Sequence, residues 1–129
     1  MTQNEQIAKI MGWKLIRRKG GAGDIKFLRG LSWNEWVDDT GKFLCFEEKL
    51  KFEDTPSGNW ITKKLQAKMV ADGWNIEFHN WMEKFPDFPA KIYFEINAIN
   101  HNTQTIIATA RDSEPAALHD LFCKVFSIR

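Results

Sequence analysis

Three strand-like segments of this chain, two of them alternating apolar and polar residues, lie so close together that one pairing pattern is open to them. Residues 74–81 set Trp74, Ile76 and Phe78 against Asn75, Glu77 and His79. Residues 91–97 set Ile92, Phe94 and Ile96 against Tyr93, Glu95 and Asn97, and residues 103–110 are rich in Thr and Ile. A period of two marks a half-buried strand. A parallel return needs a crossover of a dozen or more residues, usually a helix, and neither connection can hold one. The spacing therefore predicts an antiparallel meander. Its connections are the Phe85-Pro86-Asp87-Phe88-Pro89 loop, where each proline restricts itself and its predecessor, and an Asn100-His101-Asn102 turn.

Helices are expected before, between and after such strands. Thr2 and Glu5 make a capping box, Ile7, Ile10 and Met11 follow at helical spacing, and Gly12 stands where a left-handed stop belongs. This predicts a helix from Gln3 to Met11. A second starts near Asp54-Thr55-Pro56-Ser57, carries Ile61, Leu65 and Met69 on one face, and stops at Gly73. The third opens at Asp112-Ser113-Glu114-Pro115, with Leu118, Leu121, Phe122, Val125 and Phe126 as its apolar face.

Shorter strands are expected at 13–16, at 25–31, and on either side of Asp38-Asp39-Thr40-Gly41, a hairpin turn signal between residues 33–37 and 42–46. The sum is an α/β (α+β) sandwich. It is expected as a single domain over residues 1–129, with a mainly antiparallel sheet of about four to six strands and three helices on its faces.

Composition excludes several classes. The 129 residues are 43% hydrophobic and 27% charged, a globular balance. No apolar run approaches the roughly 18 residues of a membrane helix, and the polar start reads as no secretory signal. Cys45 and Cys123 match no metal-ligand spacing, which points to reduced, buried thiols in a cytoplasmic protein and to no metal or cofactor. The net charge of +1 hides seven basic residues against one acid between Lys9 and Arg29. The remainder is acidic, so neither a DNA mimic nor a duplex binder is described.

Met11-Gly12-Trp13, a Trp-bearing hairpin, Phe-x-x-x-Pro-Ser at 52–57, Asp72-Gly73-Trp74 and the closing Pro-Ala-Ala-Leu helix from Pro115 together resemble the phage ABA-sandwich domain, a group of small bacteriophage and prophage proteins. The resemblance implies a sheet between helical layers, a phage-type source and hence the cytoplasm of a bacterial host. It implies no chemistry.

Catalytic residues are not expected. His79, His101 and His119 have no sequence-local metal partner, and no nucleophile or metalloprotease motif is present. Cys123 and His119 share a helix face at i, i+4; the plain reading is a small core thiol beside a solvated imidazole. His79, Glu77 and Glu95 gather carboxylates near an imidazole, the raw material of acid–base work or simply an outer sheet face.

Two binding readings compete. Six Trp and ten Phe exceed what a core this size needs. Trp13, Trp74 and Trp60 follow core patterns, which leaves Trp33, Trp36, Trp81, Phe85 and Phe88 as anchors for a host protein, for instance as an inhibitor of a bacterial defence component. Trp33 and Trp36 should point to opposite sides of a strand, with one exposed. The alternative is a phosphorylated small molecule or nucleotide held by the basic glycine-rich stretch Arg17, Arg18, Lys19, Gly20 and Gly21. That stretch lacks the Gly-Lys-Ser/Thr ending of a phosphate loop, and a solvated connection explains it as simply.

Overall fold

The computed structural model describes residues 1–21, 30–84 and 86–129. The fold is α+β: among the described residues, three α-helices and two three-stranded antiparallel sheets. The strands expected in one sheet of four to six are thus divided between two. The chain packs as two compact units, Met1–Lys51 and Phe52–Arg129.

The first unit opens with α1 (Gln3–Met11). Thr2 caps it by accepting the Glu5 N–H through its hydroxyl, and Gly12 ends it at φ +74°, the left-handed conformation that other residues adopt at a cost. Strands β1 (Lys14–Lys19), β2 (Ser32–Val37) and β3 (Phe43–Phe46) follow, in the order β1-β2-β3. The Asp38 carboxylate accepts from the Thr40 and Lys42 N–H groups and closes the β2–β3 turn where the sequence placed it. A 3-10 turn, Glu47–Lys49, completes the unit. The strand expected at 13–16 begins one residue later and runs to Lys19. Apart from Gly30 and Leu31, the one expected at 25–31 lies outside the described residues.

The second unit holds α2 (Pro56–Ala71), the meander β4 (Asn75–Glu83), β5 (Lys91–Asn100) and β6 (Thr105–Arg111), and α3 (Glu114–Val125). Thr55 and Ser113 cap the two helices through their hydroxyls, and each helix has proline in its first turn. The strand order β4-β5-β6 is the expected one. Its register pairs Ile76 with Ala98, His79 with Glu95 and Ile96 with Thr109.

Both helices lie on one face of this sheet: α2 packs on β4, α3 on β5 and β6, and the helices on each other. Ile61, Leu65, Met69, Leu118, Leu121 and Phe122 are buried there with Ile96 and Ala98 of β5. Each of these Ile, Leu, Met and Phe side chains contributes on the order of 1.5–3 kcal/mol. Asp120 fastens α3 to β6: it accepts from the Thr109 hydroxyl and pairs with Arg111 at 3.2 Å and with Lys124 at 3.2 Å.

Candidate protein-binding surface

Directly opposed residues of an antiparallel pair share a face, so register alone sorts the second unit's sheet. Ile76, Phe78, Asn80 and Met82 of β4 and Ile92, Phe94, Ile96 and Ala98 of β5 lie on the helix side. Glu77, His79, Trp81, Tyr93, Glu95 and Asn97 lie on the other, over which no helix of this unit packs.

The β4–β5 hairpin also runs on past the helices. Paired Met82 and Ile92 stand on the helix side yet are 61% and 53% exposed, while Trp81, on the outer side, is 43% exposed. Trp81 stacks on its cross-strand partner Tyr93, ring centroids 4.3 Å apart, and the Lys91 ammonium lies 5.0 Å from the Tyr93 centroid. In the connecting loop Phe88 is 70% exposed. Pro86 and Pro89 bracket it, and the residue before a proline is confined to extended backbone, so little freedom is left to lose on contact. One end of one hairpin therefore presents Trp81, Met82, Phe88 and Ile92 to solvent. Clusters of this kind mark contact surfaces, whereas scattered single apolar residues do not.

The structure redistributes the other expected anchors. Trp81 lies within β4, which continues past the expected end at 81 to Glu83. Phe85 lies outside the described residues. Trp36 is buried and is no surface anchor; β2 keeps a regular register with β1 through Trp36 and Val37, and the one-residue irregularity against β3 falls at Leu44, which is also buried. Trp33 is half-buried, and its indole N–H donates to Glu35 Oε2 at 3.2 Å. It lines a pocket of about 330 Å³ with Leu31, Ser32, Phe46 and Glu48. Trp60, expected in the core, is half exposed under the Lys64 ammonium.

The residues expected to hold an anion spend donors inside the protein. Arg17 donates to the Ser32 hydroxyl at 3.1 Å, and Arg18 pairs through Nε with Glu35 at 2.8 Å. Glu35, a buried carboxylate the sequence reading passed over, thus ties Arg18 to Trp33. Gly20 is buried, and its N–H donates to the Leu31 carbonyl, extending the β1–β2 ladder. That N–H is not presented to a ligand. Lys19 and Gly21 are exposed, and Ala22 and Gly23 lie outside the described residues.

Neither titratable constellation is poised for catalysis. Cys123 Sγ is 3.8 Å from His119 Nε2. Burial, with the charge of Asp120 adding to it, pushes the thiol up to about 11, and burial outweighs Asp120 to hold the imidazole below its ordinary value. Both groups are neutral, the opposite of an activated thiolate–imidazolium pair. His119 is not solvated as expected: its ring stacks on Phe52 at 4.5 Å. His79 and Glu77 face solvent 3.4 Å apart, a surface pair. Among the described residues no group of three or more His, Cys, Asp or Glu side chains could hold a metal, and no helix is long and apolar enough to cross a membrane.

No protein-family model, curated protein or solved structure matches this chain.

Proposed function

We propose that this chain is a small non-enzymatic binding protein that grips another protein with the protruding end of its β4–β5 hairpin. The observation that carries this reading is the exposure of Trp81, Met82, Phe88 and Ile92 around one hairpin end, Trp81 on its outer side, Met82 and Ile92 on the other, and Phe88 in the proline-braced loop between the strands. Leaving these groups wet forfeits burial energy of roughly 1.5–3 kcal/mol per fully buried side chain, which a partner recovers. Preorganised aromatics on a stiff hairpin are also the groups that dominate interface energetics. The resemblance to phage proteins makes a bacterial host protein, such as a defence component, the first partner to try.

The test is site-specific. A photo-crosslinking phenylalanine analogue at position 88 and the same analogue at exposed position 67 on α2 are compared in bacterial lysate. The reading expects one specific adduct from position 88 that position 67 does not give. Identical adduct patterns from both positions would refute it.

A further inference from the structure

Beside the apolar hairpin end, the outer sheet face carries a shallow, open trough. Its volume is about 630 Å³, and it is lined by His79, Trp81, Glu95 and Asn97 of this face together with Asn80, whose register position is on the helix side. Its shape follows from the register. Bulky His79 and Trp81 of β4 stand opposite Glu95 and Tyr93 of β5, while the β6 partners of Glu95 and Asn97 are Ala110 and Ala108. Two alanines on the third strand leave the middle of the sheet uncovered, and the Trp81–Tyr93 stack walls one end.

The charge on this face beside the trough is negative. Glu95 lines the cleft and Glu77 stands opposite Asn97 on the same face, whereas Glu83 and Lys91 oppose each other at the hairpin end. Asn97 adds a second, independent sign. Its Oδ1 is, among the described residues, the one buried side-chain polar atom without a hydrogen-bond partner. Buried acceptors are almost always satisfied, and this one gives up no hydrogen bond when the amide turns toward the cleft. A ligand that fits must be a flat cation rich in donors. It would stack on an indole, reach a carboxylate with two parallel N–H groups and have a further N–H for an amide oxygen. Of the protein side chains, arginine alone does all three; lysine is a compact point charge without a stacking plane.

We infer that this trough receives an arginine side chain of the protein partner, with the guanidinium between the Trp81 ring, the Glu95 carboxylate and Asn97 Oδ1. The inference rests on the binding reading above and names the partner's chemistry: a basic segment whose arginine enters the trough while apolar residues beside it reach round the hairpin end to Phe88, Met82 and Ile92.

The probe is an acetyl-Gly-Arg-Gly-amide peptide titrated into the full-length ¹⁵N-labelled chain, with the lysine peptide as comparison. The Trp81 indole N–H and the Asn97 side-chain amide are followed by NMR. Saturable shifts at both are expected, with the arginine peptide bound about fivefold or more tightly than the lysine peptide. Glu95→Gln should weaken it about tenfold, and Asn97→Leu should erase the preference for arginine over lysine. Equal response to both peptides, or shifts that survive Glu95→Gln unchanged, would overturn the inference. If the arginine peptide fails while Met82→Ser and Phe88→Ser still break partner binding, the hairpin reading stands and this inference falls. If the peptide docks while those substitutions leave partner binding intact, the trough stands and the hairpin reading falls.

Discussion

Gly58→Ala separates the geometry of α2 from its propensity, because the two predict opposite signs. By propensity alone, alanine in a helix gains about 1 kcal/mol over glycine. Gly58 occupies the third position of α2, is buried, and donates its N–H to the Thr55 hydroxyl at 3.0 Å. A Cβ built there would sit 2.0 Å from the Glu53 carbonyl oxygen and 2.9 Å from the Glu53 nitrogen, backbone atoms that no rotamer change can move. Ordinary contact begins at 3.4 Å, so helix and turn must part by more than 1 Å. That displacement takes the Thr55 cap with it, at about 1 kcal/mol. It also strains the hydrogen bond from the Thr55 N–H to the Glu53 carbonyl, now 2.8 Å, at roughly another 1 kcal/mol. Residual overpacking adds about 1–3 kcal/mol. After the propensity gain, the net is a loss of roughly 2–4 kcal/mol. Urea unfolding followed by circular dichroism should show the midpoint falling by about 1–2 M, given slopes of about 2 kcal/mol per molar. A midpoint equal to or above that of the parent would refute the close approach at Glu53.

Other consequences follow from titratable groups. Burial first and nearby acids second (Glu48 at Cys45, Asp120 at Cys123) push both thiols from 9.0 up to about 11, which cuts the thiolate fraction near pH 8 about a hundredfold. Ellman's reagent should therefore modify the native protein at least that much more slowly than a free thiol and react promptly in denaturant; fast labelling of the folded protein would contradict the buried placement. His119 is held below its ordinary 6.5 by burial, with Asp120 acting in the opposite sense. The unfolded chain then binds the extra proton first, so stability is full above pH 6.5 and is lost as pH falls below it. His119→Phe, which keeps a ring on Phe52, should flatten the fall in the urea midpoint between about pH 7.5 and 5.5, and an unchanged fall would contradict the assignment. For Asp120, burial alone would raise the carboxyl, but the Thr109 and Lys124 hydrogen bonds and the charges of Lys124 and Arg111 hold it below 3.8. Its contribution is complete above that value and is lost as pH falls through the folded-state pKa. Asp120→Asn should remove the corresponding acid-limb loss, and an unaltered acid limb would count against the clasp.

Local chemistry made most of the elements legible. Thr2, Glu5 and Gly12 bounded α1 at the residues the structure gives, and Ile61, Leu65 and Met69 identified the buried face of α2. The meander followed from connection length alone. Which hairpins share a sheet was not readable, because backbone ladders leave no side-chain pattern across distant strands. Trp60 misled because it is aromatic and helical, yet it sits one position, about a hundred degrees, off the Ile61–Leu65–Met69 stripe. Alternation set Trp33 and Trp36 on opposite sides of β2, but which side is covered, and hence that Trp36 is the buried indole, is not encoded by either residue. At the candidate surface, Trp81 and Phe88 were named from sequence. Met82 and Ile92 were not, since alternation marked Ile92 as core-facing and the strand was expected to end before Met82. They are exposed only because the hairpin outruns the helices that would cover it.

The claim that the β4–β5 end is a gripping surface is tested most directly by the dissociation constant of the purified crosslinked partner for the parent chain and for a Trp81→Ala, Phe88→Ser double variant. Losing two central anchors is worth roughly 3 kcal/mol or more, so the variant should bind at least about a hundredfold more weakly with its fold intact. Equal affinity for the two proteins would show that the partner is held elsewhere.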